Sequence, residues 1–97
     1  MIKILIAAIS QAQLTKKMEE LKQNIGINVL KEEKLLNSHH IIHYSNLMYY
    51  GVIWDDLRGM RFDKAYISEM LTIEELNKIK ILLTNSPFPK DEIINYF

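Results

Sequence analysis

Ile2-Lys3-Ile4-Leu5-Ile6-Ala7-Ala8-Ile9 is followed at once by Ser10-Gln11-Ala12-Gln13-Leu14, and the fold is decided where these two segments meet. The first is apolar almost without interruption. Strands buried on both faces read this way, and they are usually parallel and central. Ser10 and Gln13 then form a Ser-x-x-Gln capping box, the signature of a helix start. Leu14, Met18, Leu21 and Ile25 recur at spacings of four, three and four, which makes one apolar helix face. Lys16, Lys17, Glu19, Glu20 and Lys22 take the wet side. Gly26 can adopt the left-handed conformation that ends helices, and Ile27 to Leu30 reads as a second strand. The expected architecture is a small single α/β domain over residues 1–97. It has a β-α-β start with a right-handed crossover, a mostly parallel sheet and at least two helices.

Further along, Lys31 to Lys34 is charged and reads as a solvated loop. His39 to Tyr44 reads as a strand with Ile41 and Ile42 on opposite sides. Tyr49 to Trp54 is β-prone, being rich in aromatic and β-branched residues. Asp55, Asp56 and Gly59 mark a turn. Phe62 to Met70 reads as another strand, with Ala65 and Ile67 on one face and Tyr66 on the other. Thr72 and Glu75 form a second capping box, after which Ile73, Leu76, Ile79 and Leu83 supply a buried helix face. Pro87 and Pro89 end that helix. Asp91 to Phe97 is either a helical turn or a docking strand.

Composition removes several kinds of chemistry. The chain has 97 residues and no cysteine, so disulfides, thiolate zinc sites and cysteine nucleophiles are excluded. Twelve basic and twelve acidic residues cancel. A protein that coats nucleic-acid phosphates needs surplus cations, so nucleic acid is not the expected partner. Neutrality also permits self-association into a homo-oligomer. The apolar run at Ile2 is far shorter than the roughly 20 residues a membrane span needs, and it lacks the layout of a signal peptide. A soluble, cytoplasmic protein with no membrane partner is expected. Fifteen isoleucines and ten lysines against two arginines point to an AT-rich coding genome, as in many phages.

Both arginines fall in Leu57-Arg58-Gly59-Met60-Arg61-Phe62-Asp63, and Ala65-Tyr66-Ile67-Ser68-Glu69 follows. From Tyr50 to Leu71 the chain resembles the Walker-B half of a P-loop ATPase core of the terminase or RecA-like kind. In those families an Arg-Gly turn leads into a strand that ends on an acidic pair holding magnesium and water. The resemblance covers less than half of the chain. Its phosphate-binding partner motif, Gly-x-x-x-x-Gly-Lys-Ser/Thr, is missing. Ser68 stands where the first acid would be, and a hydroxyl lacks the charge that a magnesium site prefers. No catalytic residue, no metal and no cofactor is therefore expected.

Three groups of side chains remain as candidates. Arg58 and Arg61 offer two-pronged contacts to phosphate or carboxylate, or they pair internally with Asp55, Asp56 or Asp63. His39, His40 and His43 share a segment, but on a strand His39 and His43, though on one side, lie too far apart to chelate one ion easily; partly exposed strand histidines or a pH-responsive interface are expected instead. Tyr44, Leu47, Met48, Tyr49, Tyr50 and Trp54 crowd into eleven residues, either as a contact surface or as the domain's own core. The expected function is a non-catalytic interaction protein, a regulator or inhibitor of the phage-encoded kind. Its partner is another protein, bound through Tyr49, Tyr50, Trp54, Arg58, Arg61 and Asp63. The alternative is a small-ligand or nucleotide-binding domain that uses the arginine turn and the strand ends.

Overall fold

The structure is a computed structural model that describes residues 1–35, 39–57 and 59–97. Its elements in chain order are β1 (Ile2–Ala8), α1 (Gln11–Ile25), β2 (Lys31–Leu35), β3 (His39–Tyr44), β4 (Leu47–Ile53), β5 (Lys64–Ile67), α2 (Ile73–Lys80), α3 (Lys90–Ile93) and β6 (Ile94–Tyr96). The strands form one mixed sheet in the order β2-β3-β4-β1-β5-β6. β1 pairs in parallel with β4 and β5, and β5 pairs in parallel with β6. The β2–β3 and β3–β4 pairs are antiparallel, so β3 alone runs against the other five strands.

The continuous apolar run explains the position of β1. Residues Ile4 to Ala8 are buried without exception, because the sheet carries a helix layer on each side. Leu5 and Ala7 enter one core with Tyr50, Val52, Ala65, Ile67, Ile79 and Leu83. Ile6 and Ala8 enter the other with Leu14, Met18 and Ile42. The two faces are called the α2 face and the α1 face below. Ile41 and Ile42 of β3 go to opposite faces, as period-two alternation requires.

The starts of α1 and α2 are fixed locally. The Ser10 hydroxyl accepts from the Gln13 N–H at 3.2 Å, while Gln13 Oε1 accepts from the Ile9 N–H at 2.9 Å. At Thr72 the capping box is complete: its hydroxyl accepts from the Glu75 N–H, and the Glu75 carboxylate accepts from the Thr72 N–H. Gly26 closes α1 at φ +66°.

Three expectations are corrected. Ile27 to Leu30 is not a strand: Gly26–Asn28 makes a single 3-10 turn, and Ile27 and Leu30 stand in solvent. The strand lies one step later, at Lys31–Leu35, and takes in the Lys31 to Lys34 stretch that reads as a loop. Its charges suit that place, since β2 is a sheet edge and charged edges resist unwanted pairing. From β2 the chain returns through β3 and β4, and it is β4 that lies beside β1. The third correction is Ile73, which is 77% exposed. It is the first residue of α2 and sits roughly a quarter turn off the line of Leu76, Ile79 and Leu83 at 3.6 residues per turn. The expected strand at Phe62 to Met70 shortens to Lys64–Ile67. The Asp91–Phe97 segment is a helical turn first and a strand after it.

Candidate functional site

Five of the six residues expected to bind a partner lie among the described residues, and the fold disperses them. Arg58 lies outside the described residues. Arg61 and Asp63 stand at the amino end of β5. The Arg61 Nη1–H donates to Thr84 Oγ1 at 3.3 Å, and Asp63 is not its partner. Asp63 instead joins β5 to the start of β1: Oδ2 accepts from the Lys3 N–H and its own N–H donates to the Lys3 carbonyl, each at 2.9 Å. The Ser86 hydroxyl donates to the Asp63 carbonyl from the other side. This end of the sheet is therefore stitched together by Asp63.

Trp54 follows the carboxyl end of β4. Its ring packs on the α2-face core, with Lys78 Nζ 5.9 Å from the ring centre. Asp63 is level with Lys3, and Trp54 is one step beyond the Ala8–Ile53 pair. Six residues at about 3.3 Å each separate the two levels by about 20 Å. Tyr50 faces the same side as Trp54 but is only 9% exposed. Its ring lies against Phe62 and His39, and its hydroxyl is 2.5 Å from His39 Nδ1. Burial pushes the Tyr50 phenol above its ordinary range. Tyr50 is core, and Tyr49, its neighbour in sequence, points to the other face. Ser68 is buried, and its hydroxyl accepts from the Met70 N–H at 3.2 Å, closing the turn after β5.

What the fold does assemble is a groove on the α1 face. The floor consists of Tyr49 from β4, Ile6 from β1 and Tyr66 from β5; the wall is Lys17, Glu20, Leu21 and Asn24 of α1. Register places Tyr49 beside Ile4 and Tyr66 beside Ile6, so the two tyrosines flank the central strand. The groove encloses about 210 Å³. A second hollow of about 260 Å³ adjoins it, sharing Lys17 and Glu20 and bounded by Gln13, Lys16 and Phe97. Burial, and then the neighbouring Tyr66 and Tyr44, push the Tyr49 phenol up. Both tyrosines are partly buried. Sequence reasoning assigned Tyr66 to the face opposite Ala65 and Ile67 but gave it no role. The available signal was that alternation: an aromatic on the less apolar face of a central strand.

Charge is distributed unevenly around α1. On one flank Lys22 Nζ lies 3.1 Å from Glu32 Oε1, and Lys34 pairs with Glu19. His40, 8% exposed, donates from Nε2 to Glu32 Oε2 at 2.6 Å, because an ionised carboxylate can only accept. On the groove flank, Lys16 and Lys17 have no carboxylate within 4.0 Å among the described residues, and neither has Lys64. Lys17 Nζ sits 5.1 Å from the centre of the Phe97 ring. Lys64 Nζ sits 5.9 Å from Tyr66 and 5.8 Å from Phe88.

The Lys22–Glu32–His40 cluster makes a pH prediction. Partial burial pushes the Glu32 carboxyl up, but hydrogen bonds from His40 and Lys22 outweigh it and hold the group below the ordinary 4.5. A depressed carboxyl contributes stability above its unfolded pKa, and that stability is lost as pH falls through the folded value. The urea midpoint of the native protein should therefore drop below pH 4.5 more steeply than that of Glu32→Gln. Equal acid slopes for the two would remove Glu32 from this role.

The histidines are divided between faces: His40 meets Glu32, while His43 Nε2 is 3.7 Å from Glu33 on the other side. Among the described residues no three His, Asp or Glu side chains come together as a metal site. Nor is any helix among them long and apolar enough to cross a membrane. Compared with protein families, with characterised proteins and with solved structures, the chain matches none.

Proposed function

We propose that this chain is a non-catalytic interaction module that regulates another protein by binding it through the Tyr49–Tyr66 groove. The observation that carries the reading is the pairing of two partly buried tyrosines across β1, beside lysines that have no carboxylate partner among the described residues. Tyrosine is among the residues that dominate contact energies, because it offers a large rigid area at low entropic cost. A hollow of about 210 Å³ is smaller than the roughly 300–1,000 Å³ usual for small-molecule sites. It suits one or two side chains of a partner.

The nucleotide reading receives less support. It needs the arginine turn and the carboxyl strand ends to meet one anion. Asp63 and Ser68 lie at opposite ends of β5, about 16 Å apart at 3.3 Å per residue. Calorimetry with millimolar ATP should register no binding.

The test is affinity capture from the native host, identification of the bound protein, and titration of that protein against purified variants. Tyr66→Ala should weaken binding by about 30-fold, the equivalent of a 2 kcal/mol contact. Circular dichroism should be unchanged, since Tyr66 is not part of either fully buried core. Unaltered affinity in Tyr66→Ala and in Tyr49→Ala would count against the groove.

A further inference from the structure

We infer that the partner segment seated in this groove is acidic, a run of aspartate or glutamate carrying one apolar or aromatic anchor. The inference rests on the groove being the partner site. Its basis is the placement of uncompensated cations. Lys22, Lys31 and Lys34 each have a carboxylate within 4 Å. Among the described residues Lys16, Lys17 and Lys64 have none, as is true also of Lys3, Lys78, Lys80 and Lys90; what sets the first three apart is their place, Lys16 and Lys17 lining the groove or the hollow beside it and Lys64 lying near the Tyr66 ring. Among the described residues Glu20 is the one acidic side chain lining the two. A chain of zero net charge thus carries a local positive excess at its aromatic surface.

Aromatic rings hold two of these cations in place. Phe97 lies under the Lys17 ammonium, and Tyr66 and Phe88 lie near that of Lys64. A ring face orients a cation without neutralising it. An arriving carboxylate therefore meets partly ordered ammoniums, and less side-chain entropy is lost on binding. The Tyr49 phenol stays protonated well past neutral pH and retains its O–H as a donor. Between the tyrosines, Ile6 and Leu21 provide an apolar seat for a single anchor side chain. Single-stranded nucleic acid also combines negative charge with stacking rings. It tracks a longer cationic path, however, than the few lysines beside this groove provide.

The test is fluorescence anisotropy with a labelled random copolymer of glutamate and tyrosine, run beside a lysine–tyrosine copolymer and a labelled oligothymidylate. The acidic copolymer should bind, and added salt should weaken it. The double variant Lys17→Glu/Lys64→Glu should lose about tenfold in affinity, whereas Glu20→Lys should gain affinity. These positions are exposed or half-exposed, so circular dichroism should stay native. The inference is overturned if the acidic copolymer fails to bind, if binding ignores the lysine substitutions, or if oligothymidylate binds more tightly. If the captured partner depends on Tyr66 while the acidic copolymer does not bind, this inference alone fails. If the captured partner ignores Tyr66 as well, the proposed function fails with it.

Discussion

Gly51→Val should come close to abolishing the native fold, although Gly51 lies in a strand where valine is ordinarily favoured. Gly51 is buried in β4 on the α1 face, beside Ile6 and His40 in register. A Cβ placed there would lie 2.6 Å from Met18 Sδ and 3.0 Å from Leu14 Cδ1. Met18 is flexible, but both side chains are almost wholly buried and cannot swing into solvent. Gly51→Ala would recover about 0.5–1 kcal/mol of strand propensity against about 1–3 kcal/mol of overpacking. The steric cost prevails, and valine adds two further methyl groups to it. Urea denaturation should show the loss. A double-mutant cycle gives the cause: Gly51→Ala and Met18→Ala together should cost about 1–3 kcal/mol less than their sum. Additive costs would mean that α1 does not rest on Gly51.

Ile79→Ala should be nearly as damaging, and Ile73→Ala should hardly register. Ile79 is 1% exposed and packs into the α2-face core. Truncating a buried isoleucine costs about 2–5 kcal/mol, through lost transfer energy and the cavity left behind. Ile73 is 77% exposed at the first turn of the same helix, so its truncation should stay within about 0.5 kcal/mol of neutral. Thermal or urea melts of the two variants measure the difference. Comparable losses would put Ile73 back in the core and shift the helix on the sheet.

That pair also shows where periodicity is a sufficient guide. The Leu14–Met18–Leu21–Ile25 stripe could be read directly because α1 is long, capped at Ser10, and packed along its whole length. In α2 the same rule includes one residue too many, since Ile73, the first residue of the helix, stands about a quarter turn off the line of Leu76, Ile79 and Leu83 and is left in solvent. β2 escaped notice for a different reason. Lys31-Glu32-Glu33-Lys34 has no apolar alternation, and its extended form comes from pairing with β3, a contact between segments that local pattern does not encode. The neighbouring Ile27–Leu30 run had the composition of a strand, but Gly26–Asn28 is taken up by a 3-10 turn and only Leu30 reaches β3, its N–H donating to the His43 carbonyl at 2.8 Å.

The groove was the least legible feature. Grouping Tyr49, Tyr50 and Trp54 by nearness in sequence ignores the period of a strand, which sends Tyr49 to one face and Tyr50 with Trp54 to the other. The tyrosine that joins Tyr49 is Tyr66, seventeen positions on and across β1. Only the parallel register of β4, β1 and β5 brings them together. Asp63 was expected to bind a partner or to pair with the arginines, and its carboxylate is engaged by the Lys3 backbone. Removing it would disturb the sheet before it disturbed any partner.

The most direct measurement is an amide chemical-shift map of the nitrogen-labelled chain, recorded as the identified partner is added. The account predicts the largest changes along the α1 flank and the strands beneath it, at Lys17, Leu21, Tyr49, Tyr66 and Phe97. Changes centred on Trp54 or on Arg61 to Asp63, with the groove residues unmoved, would contradict it.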